Sequence, residues 1–286
     1  MKLFIKIGII CFSVTRLNAQ HYSDLVRFFG DAKYSVSSER DFTYNISGEW
    51  ITKPESGKVD KMVSNYSRNQ NVEGFRSIRY LGESYEYIQH SVWDGKILQY
   101  QRNLKGTTVL FIKNSLEELD FPNRSANLIT MPWAFLGLTA EVDLGRGQPI
   151  SFTNETKARF LALLPLIEKG DFFELPYAPD LLCKVKLSEL GSIDSVIIKT
   201  KDEDMVWSMK TTETKEFFRE GGLHITLPSK ITDTFKIKGA PTVKRDYKLL
   251  DLKFGNDADE SILQIDATKT QFLYNKDSGE YLKINR

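Results

Sequence analysis

Side chains that carry chemistry are scarce in this sequence. Its 286 residues hold two cysteines, Cys11 and Cys183, too few for a disulfide framework. The three histidines, His21, His90 and His224, lie far apart, and none falls in a His-Glu-x-x-His or comparable metal-binding spacing. Gly145-Arg146-Gly147 lacks the further glycine and the strand-to-helix setting of a dinucleotide loop, and there is no Gly-x-Ser-x-Gly elbow or phosphate loop. Charge of one sign is not in excess either, with 39 Lys+Arg against 38 Asp+Glu, which argues against a nucleic-acid partner. The apolar stretch Ile7 to Val14 falls well short of the roughly 20 residues that a membrane-spanning helix needs. The expectation is a non-enzymatic protein with no catalytic residue, no metal and no cofactor.

Two acidic groups could in principle pair as hydrolytic carboxylates: Glu117, Glu118 and Asp120, and Asp202, Glu203 and Asp204. Both sit in turn-like stretches, where such clusters usually form solvated faces. A hydrolase is therefore the third reading, behind two binding roles.

The N-terminus has the order of an export signal. Lys2 and Lys6 form the basic start, Ile7 to Val14 the apolar part, and Leu17-Asn18-Ala19 a small-residue cleavage site before Gln20. Residues 1–19 are read as a signal peptide and 20–286 as a single domain, soluble in the periplasm or outside the cell. The leader removes Lys2, Lys6 and Arg16 and no acid, leaving a net charge of about −2. Cys183, in Leu181-Leu182-Cys183-Lys184-Val185, reads as a buried, inert thiol.

What the chain has in abundance is strand-like aromatic alternation. Strands are expected at 42–52, 59–66, 74–80, 84–92, 96–103 and 107–113, and again at 172–175, 182–187, 193–199, 205–211, 214–219, 231–237 and 243–254. The short links between them imply an antiparallel meander. Three segments follow helical spacing instead. Tyr22 to Tyr34 spaces Leu25, Val26, Phe28, Phe29 and Ala32 by threes and fours; Ser125 to Leu138 and Glu155 to Lys169 are unusually apolar, with Pro165 expected to kink or end the last. The fold class is α+β: a strongly curved antiparallel sheet, an N-terminal helix and two central apolar helices over its concave face.

Large apolar side chains must then cover that face. The candidates for an apolar ligand groove with a helical lid are Trp50, Phe75, Tyr85, Tyr87, Trp93, Leu98, Tyr100, Phe111, Met131, Trp133, Phe135, Leu138, Phe160 and Leu164. The alternative is that the same residues form a filled core.

Three stretches carry a family resemblance. Ser91-Val92-Trp93-Asp94-Gly95-Lys96 with Ile97-Leu98-Gln99-Tyr100 resembles the strand-turn-strand feature of bacterial periplasmic lipoprotein carriers. Gly221-Gly222-Leu223-His224-Ile225-Thr226-Leu227-Pro228-Ser229-Lys230-Ile231 resembles a later strand of the same superfamily, and 247–284 its closing strand and tail. The resemblance implies a half-barrel of about eleven strands, closed on one side by helices, that holds lipid or acyl chains without catalysis. Its partners would be a hydrophobic ligand, lipid or acyl chain, and a membrane-bound donor or acceptor protein, with no nucleic acid. The alternative function is a secreted structural or interaction module that contacts another protein or a glycan.

Overall fold

The computed structural model describes residues 21–30, 32–46, 48–51, 61–70, 72–81, 84–104, 107–114, 132, 133, 136, 138, 152, 154–176 and 178–284. They build one open sheet of fifteen strands, in the order β15-β14-β7-β6-β5-β4-β3-β1-β13-β12-β11-β10-β9-β8, with β2 paired to β1. Two antiparallel meanders make up most of it. The first runs β3 (Lys61–Asn69), β4 (Val72–Leu81), β5 (Ser84–Trp93), β6 (Leu98–Leu104) and β7 (Thr107–Lys113). The second runs β8 (Phe173–Leu175), β9 (Ala178–Leu187), β10 (Ile193–Thr200), β11 (Met205–Arg219), β12 (Leu223–Ile237) and β13 (Thr242–Phe254). Between them lies β1 (Tyr34–Ile46), antiparallel to β3 on one side and β13 on the other. β2 (Glu49–Ile51), β14 (Phe272–Asn275) and β15 (Tyr281–Lys283) are short additions.

The expected antiparallel meander is therefore present, but the count of about eleven strands is too low. Several expected pieces are longer or continuous. Met205–Thr211 and Thr214–Arg219 form one strand, β11, because bulges about Glu213 absorb the irregularity without breaking the ladder. β12 begins at Leu223 and carries Pro228 within it, opposite the irregular stretch of β11. β1 starts at Tyr34, which the helical spacing had assigned to the preceding helix; that helix, α1, is described over 21–29. The second helix, α2 (Asn154–Lys169), runs past Pro165. Proline removes a hydrogen bond to the residue four positions back, here Leu161; both residues are exposed, so water can satisfy the carbonyl. Of the expected helix at 125–138, only residues 132, 133, 136 and 138 are described; the rest lies outside the described residues, as does the signal segment 1–19.

The turn at Trp93-Asp94-Gly95-Lys96 is built as its sequence suggests. Asp94 Oδ1 accepts from the backbone N–H of Lys96 at 2.8 Å and of Ile97 at 2.7 Å. Gly95 takes φ +91°, open to glycine without strain.

Each face of the sheet has its own cover. On the inner face, α1 buries Tyr22, Leu25, Phe28 and Phe29. Phe28 meets Phe254 edge-on at 5.0 Å, and Phe29 meets Tyr34 at 5.2 Å. Tyr22 stacks on Phe160 of α2 at 5.2 Å and meets Trp133 edge-on at 5.3 Å, and its hydroxyl donates to the carbonyl of Leu138. Across the second meander the inner row Phe235, Trp207, Ile198, Cys183 and Phe173 continues the core. Burial pushes the Cys183 thiol up to about 12, which leaves it protonated and inert.

On the outer face, residues 255–271 form a strap that crosses the first meander. Asp259 N–H donates to Ser35 of β1, Ser67 of β3 donates to the Asp259 carbonyl, and His90 Nε2 of β5 lies 2.7 Å from the carbonyl of Ile262. Gln101 of β6 donates to the Asp266 carbonyl at 3.1 Å, and Gln271 N–H reaches Thr108 of β7 at 2.9 Å. The strap thereby carries the chain from the centre of the sheet to its edge, where β14 joins β7 in parallel. It crosses β4 at Gly74, where a Cβ would lie 2.1 Å from the Ile262 carbonyl oxygen.

Two outcomes follow from this packing. Gly74→Ala must push backbone against backbone, so urea unfolding is expected to show a loss of about 1–3 kcal/mol; an unchanged midpoint would mean that the strap does not press on β4. Burial pushes the His21 imidazole, which stacks on Trp133, down to about 4. The unfolded chain then takes up the proton first, so this contribution is complete above about pH 6.5 and is lost as the pH falls toward 4. His21→Gln is expected to remove about 3 kcal/mol of the difference in stability between pH 7 and pH 4; parallel stability curves for both proteins would contradict this.

Candidate functional site

Residues directly opposite one another on paired strands share a face, so the registers give the inner surface row by row. One row is Val36, Tyr66, Phe75, Ser91, Tyr100, Phe111 and Tyr274, running from β1 to β14. It is aromatic at five positions, with Tyr100 and Phe111 stacked at 4.5 Å and nearly parallel. The next row is different in kind: Ser38, Ser64, Ser77, Gln89 and Arg102. All but Arg102 are buried. One step further along β1 and β13, Arg40 lies opposite Met62 and Tyr247. An apolar ladder therefore borders a band of hydroxyls and guanidinium groups on one face.

Arg40 and Arg102 each lie over aromatic rings. The Arg40 guanidinium is 4.6 Å from the Tyr247 ring centre and 5.6 Å from that of Phe42; Arg102 is 5.1 Å from Tyr100 and 5.9 Å from Phe111. Such stacking offsets part of the cost of burying a cation. It does not satisfy the N–H donors. Among the described residues, Arg40 Nε and Nη2, Arg102 Nε and Ser77 Oγ are buried without a hydrogen-bond partner.

The neighbouring acid is fully engaged. Asp233 on β12 accepts from Arg245 Nε at 2.7 Å and Nη2 at 2.8 Å, from Trp207 Nε1 at 3.1 Å and from the Tyr247 hydroxyl at 3.2 Å. A forked guanidinium matched to a carboxylate, with two further donors, meets the demands of a buried ion pair. Burial, which outweighs the pull of Arg40, pushes the Tyr247 hydroxyl up to about 12, so it remains a donor.

The residues expected to line the groove separate into four groups. Phe75, Leu98, Tyr100, Trp133, Leu138, Phe160 and Leu164 belong to the buried core cluster, and Trp93 and Phe111 are half-buried against it. Trp50 stands apart on β2 and is 51% exposed. Tyr85 and Tyr87 lie in β5 with their backbones opposite Tyr80 and Arg79. Met131 and Phe135 lie outside the described residues. What the spacing argument missed is the polar band. Its signal was present as Ser38, Ser64, Ser77 and Gln89 at inward positions of otherwise apolar-faced strands, but only the register shows that they adjoin.

The other chemistry-bearing groups have structural surroundings. His224 stacks on exposed Phe218 at 4.8 Å. Asp204 pairs with Lys238 at 2.9 Å and Glu203 with Lys199, while Glu117, Glu118 and Asp120 lie outside the described residues. Among the described residues there is no group of three metal-ligating side chains. No helix among them is long and apolar enough to cross a membrane. A cleft of about 580 Å³ between the α1 end and the β11–β12 hairpin mixes Lys33, Arg219 and Lys253 with Glu220 and Asp257, so it favours no charge class.

Asp233→Asn would break the forked pair and deprive half-buried Arg245 of its counter-ion. We expect a loss of about 3–5 kcal/mol in chemical unfolding; a loss below about 1 kcal/mol would show that water already screens the pair.

No family model and no curated protein matches this chain. Solved structures show distant similarity. A domain described as an outer membrane lipoprotein-sorting protein from Vibrio parahaemolyticus has a TM-score of 0.40 at 8% identity, covering 90% of this chain and 98% of that one. A DUF1329 family protein from Desulfovibrio piger has a TM-score of 0.40 at 8% identity, covering 87% and 97%. A LolA superfamily protein from Nitrosomonas europaea has a TM-score of 0.39 at 12% identity, covering 87% and 98%.

Proposed function

We propose that this protein is an exported, non-enzymatic carrier that binds a lipid-like or acylated ligand against the inner face of its sheet. The observation that carries the reading is the aromatic ladder of Tyr66, Phe75, Tyr100, Phe111 and Tyr274, which continues to the outermost strands and is only half covered at Phe111 and Tyr274. An acyl chain laid along such a surface gains about 0.8 kcal/mol per buried methylene. In this reading Trp93 and Phe111 touch the ligand, while buried Phe75, Leu98, Tyr100, Trp133, Leu138, Phe160 and Leu164 form the wall behind it. Tyr85, Tyr87, Met131 and Phe135 complete the proposed lining, which leaves out exposed Trp50 on β2. Release would accompany displacement of the helical cover by a membrane-bound donor or acceptor, a shift between two states of unequal affinity. The leader 1–19 would direct the protein to the periplasm or the cell exterior.

The close packing of Tyr22, Phe28 and Phe29 against Tyr34, Phe160 and Phe254 favours a second reading. There the core is filled and the protein is an interaction module that uses exposed strands such as β15, with Tyr281 and Leu282 largely in solvent, to contact a protein or glycan.

Native mass spectrometry of the protein from its own host, followed by organic extraction, separates the two. The carrier reading expects a co-purifying acyl-bearing species. It also expects Phe111→Ala to weaken rebinding of an acyl ligand by about tenfold. A clean apo mass that does not shift on incubation with lipids or acyl peptides would leave the interaction module.

A further inference from the structure

We infer that the ligand is an acidic amphiphile whose oxyanion, a carboxylate or a phosphate, is received by the polar band of the inner face, with Arg40 as its anchor. This rests on the carrier reading above and adds what the ligand's head must be.

Buried donors without partners are rare in folded proteins and call for an explanation. Among the described residues four such atoms occur on one face of the sheet, on three side chains: Arg40 on β1, Ser77 on β4 and Arg102 on β6, with β3 and β5 between these strands. Arg40 is 7% exposed and Ser77 fully buried, so solvent does not satisfy them. Guanidinium keeps its proton, so Arg40 cannot escape the cost of burial by neutralising itself, even though burial draws its pKa down. The acid whose field reaches it, Asp233, has its oxygens committed to Arg245, Trp207 and Tyr247. Arg79, in the same row two strands away, and Arg245 add to the positive field at Arg40. A cation that is buried, stacked on two rings and supplied with no counter-ion by the described residues is a preorganised receptor for an oxyanion from outside the chain.

The surroundings fix the rest of the ligand. Ser38, Ser64 and Ser77 are small and adjacent across β1, β3 and β4, so they leave room for a head group, and the Ser77 hydroxyl supplies a neutral donor. The next row is the aromatic ladder, where the apolar part would lie. Arg102, at the far end of the hydroxyl row, bridges both rows through its contacts with Tyr100 and Phe111.

The test uses three single-chain amphiphiles of equal acyl length with the purified protein at low salt: palmitate, palmitoyl lysophosphatidic acid and monopalmitoylglycerol. Inorganic phosphate is the fourth arm, and titration calorimetry the readout. We expect at least one acidic lipid to bind tenfold or more tighter than the uncharged one; whichever does identifies carboxylate or phosphate as the source. Arg40→Met should abolish that preference while retaining monopalmitoylglycerol binding. It should also raise Tm by a few degrees, because it removes an unpaired buried charge. Arg102→Met should narrow the preference if Arg40→Met does not fold.

Equal affinity for all three lipids would overturn the inference and leave the carrier reading standing. Binding of phosphate alone as tightly as of the lysophospholipid would also overturn it. A preference that survives in both variants would remove the band from recognition. Binding of none of the four would overturn the carrier reading as well.

Discussion

The pairing of β1 with β13 is the constraint on which the rest of the molecule depends. Twelve residue pairs join them, from Tyr34 with Phe254 to Asn45 with Thr242. Each meander is local, since hairpin links bring its strands together in order, but among the described residues β1 is the only strand that adjoins both. Joining the near-N-terminal strand to one more than 200 residues away costs loop-closure entropy, which grows only slowly with length. The long ladder repays that cost and turns two half-sheets into one inner face. The bulge at Ser37/Ser38, with Leu250 as the extra residue of β13, keeps the inward alternation in phase on both sides.

The joint also decides where charge is buried. β1 brings Arg40 to Tyr247, and β13 brings Arg245 to Asp233, so the midline of the face holds one matched ion pair beside one unmatched cation. A matched pair that is fully hydrogen-bonded costs little once formed; an unmatched one subtracts from stability. Proteins keep such a cost where function uses it. On the opposite face the strap of 255–271 occupies the same strands and meets polar demands one by one, at Ser35, Ser67, His90 and Gln101. The two faces therefore differ: the outer meets its polar demands through the strap, while the inner, among the described residues, keeps donors on Arg40, Ser77 and Arg102 that find no partner.

Much of the sheet was legible in advance. The alternation of Tyr100 and Leu98, of Leu110 and Ile112, and of Val196 and Ile198 marks strands whatever their neighbours, and Asp94-Gly95 marks its turn. Boundaries failed where local signals conflict with pairing. Pro228 and the polar run Thr211 to Thr214 suggest breaks, yet long β11 and β12 carry through because each supplies the other's ladder. β14 and β15 were missed because short strands at an edge draw their order from the strap that delivers them, not from their own composition. In the candidate site, apolar positions such as Phe75, Leu98 and Phe160 were legible as large side chains in need of cover. The polar band was not, because serines at 38, 64 and 77 look like ordinary solvent-facing positions until a register sets them side by side.

A meander of strands with apolar helices is written in the residues themselves. Hydrophobic period and turn chemistry are local properties, and each segment carries its own. That Arg40, Ser77 and Arg102 share a buried face, that Asp233 is already taken by Arg245, and that Gly74 lies under the strap come from the fold. Those are relations between segments distant in the chain, set by which strand lies beside which. A side chain's charge can be read from its letter, but whether that charge finds a partner depends on neighbours that only the fold supplies.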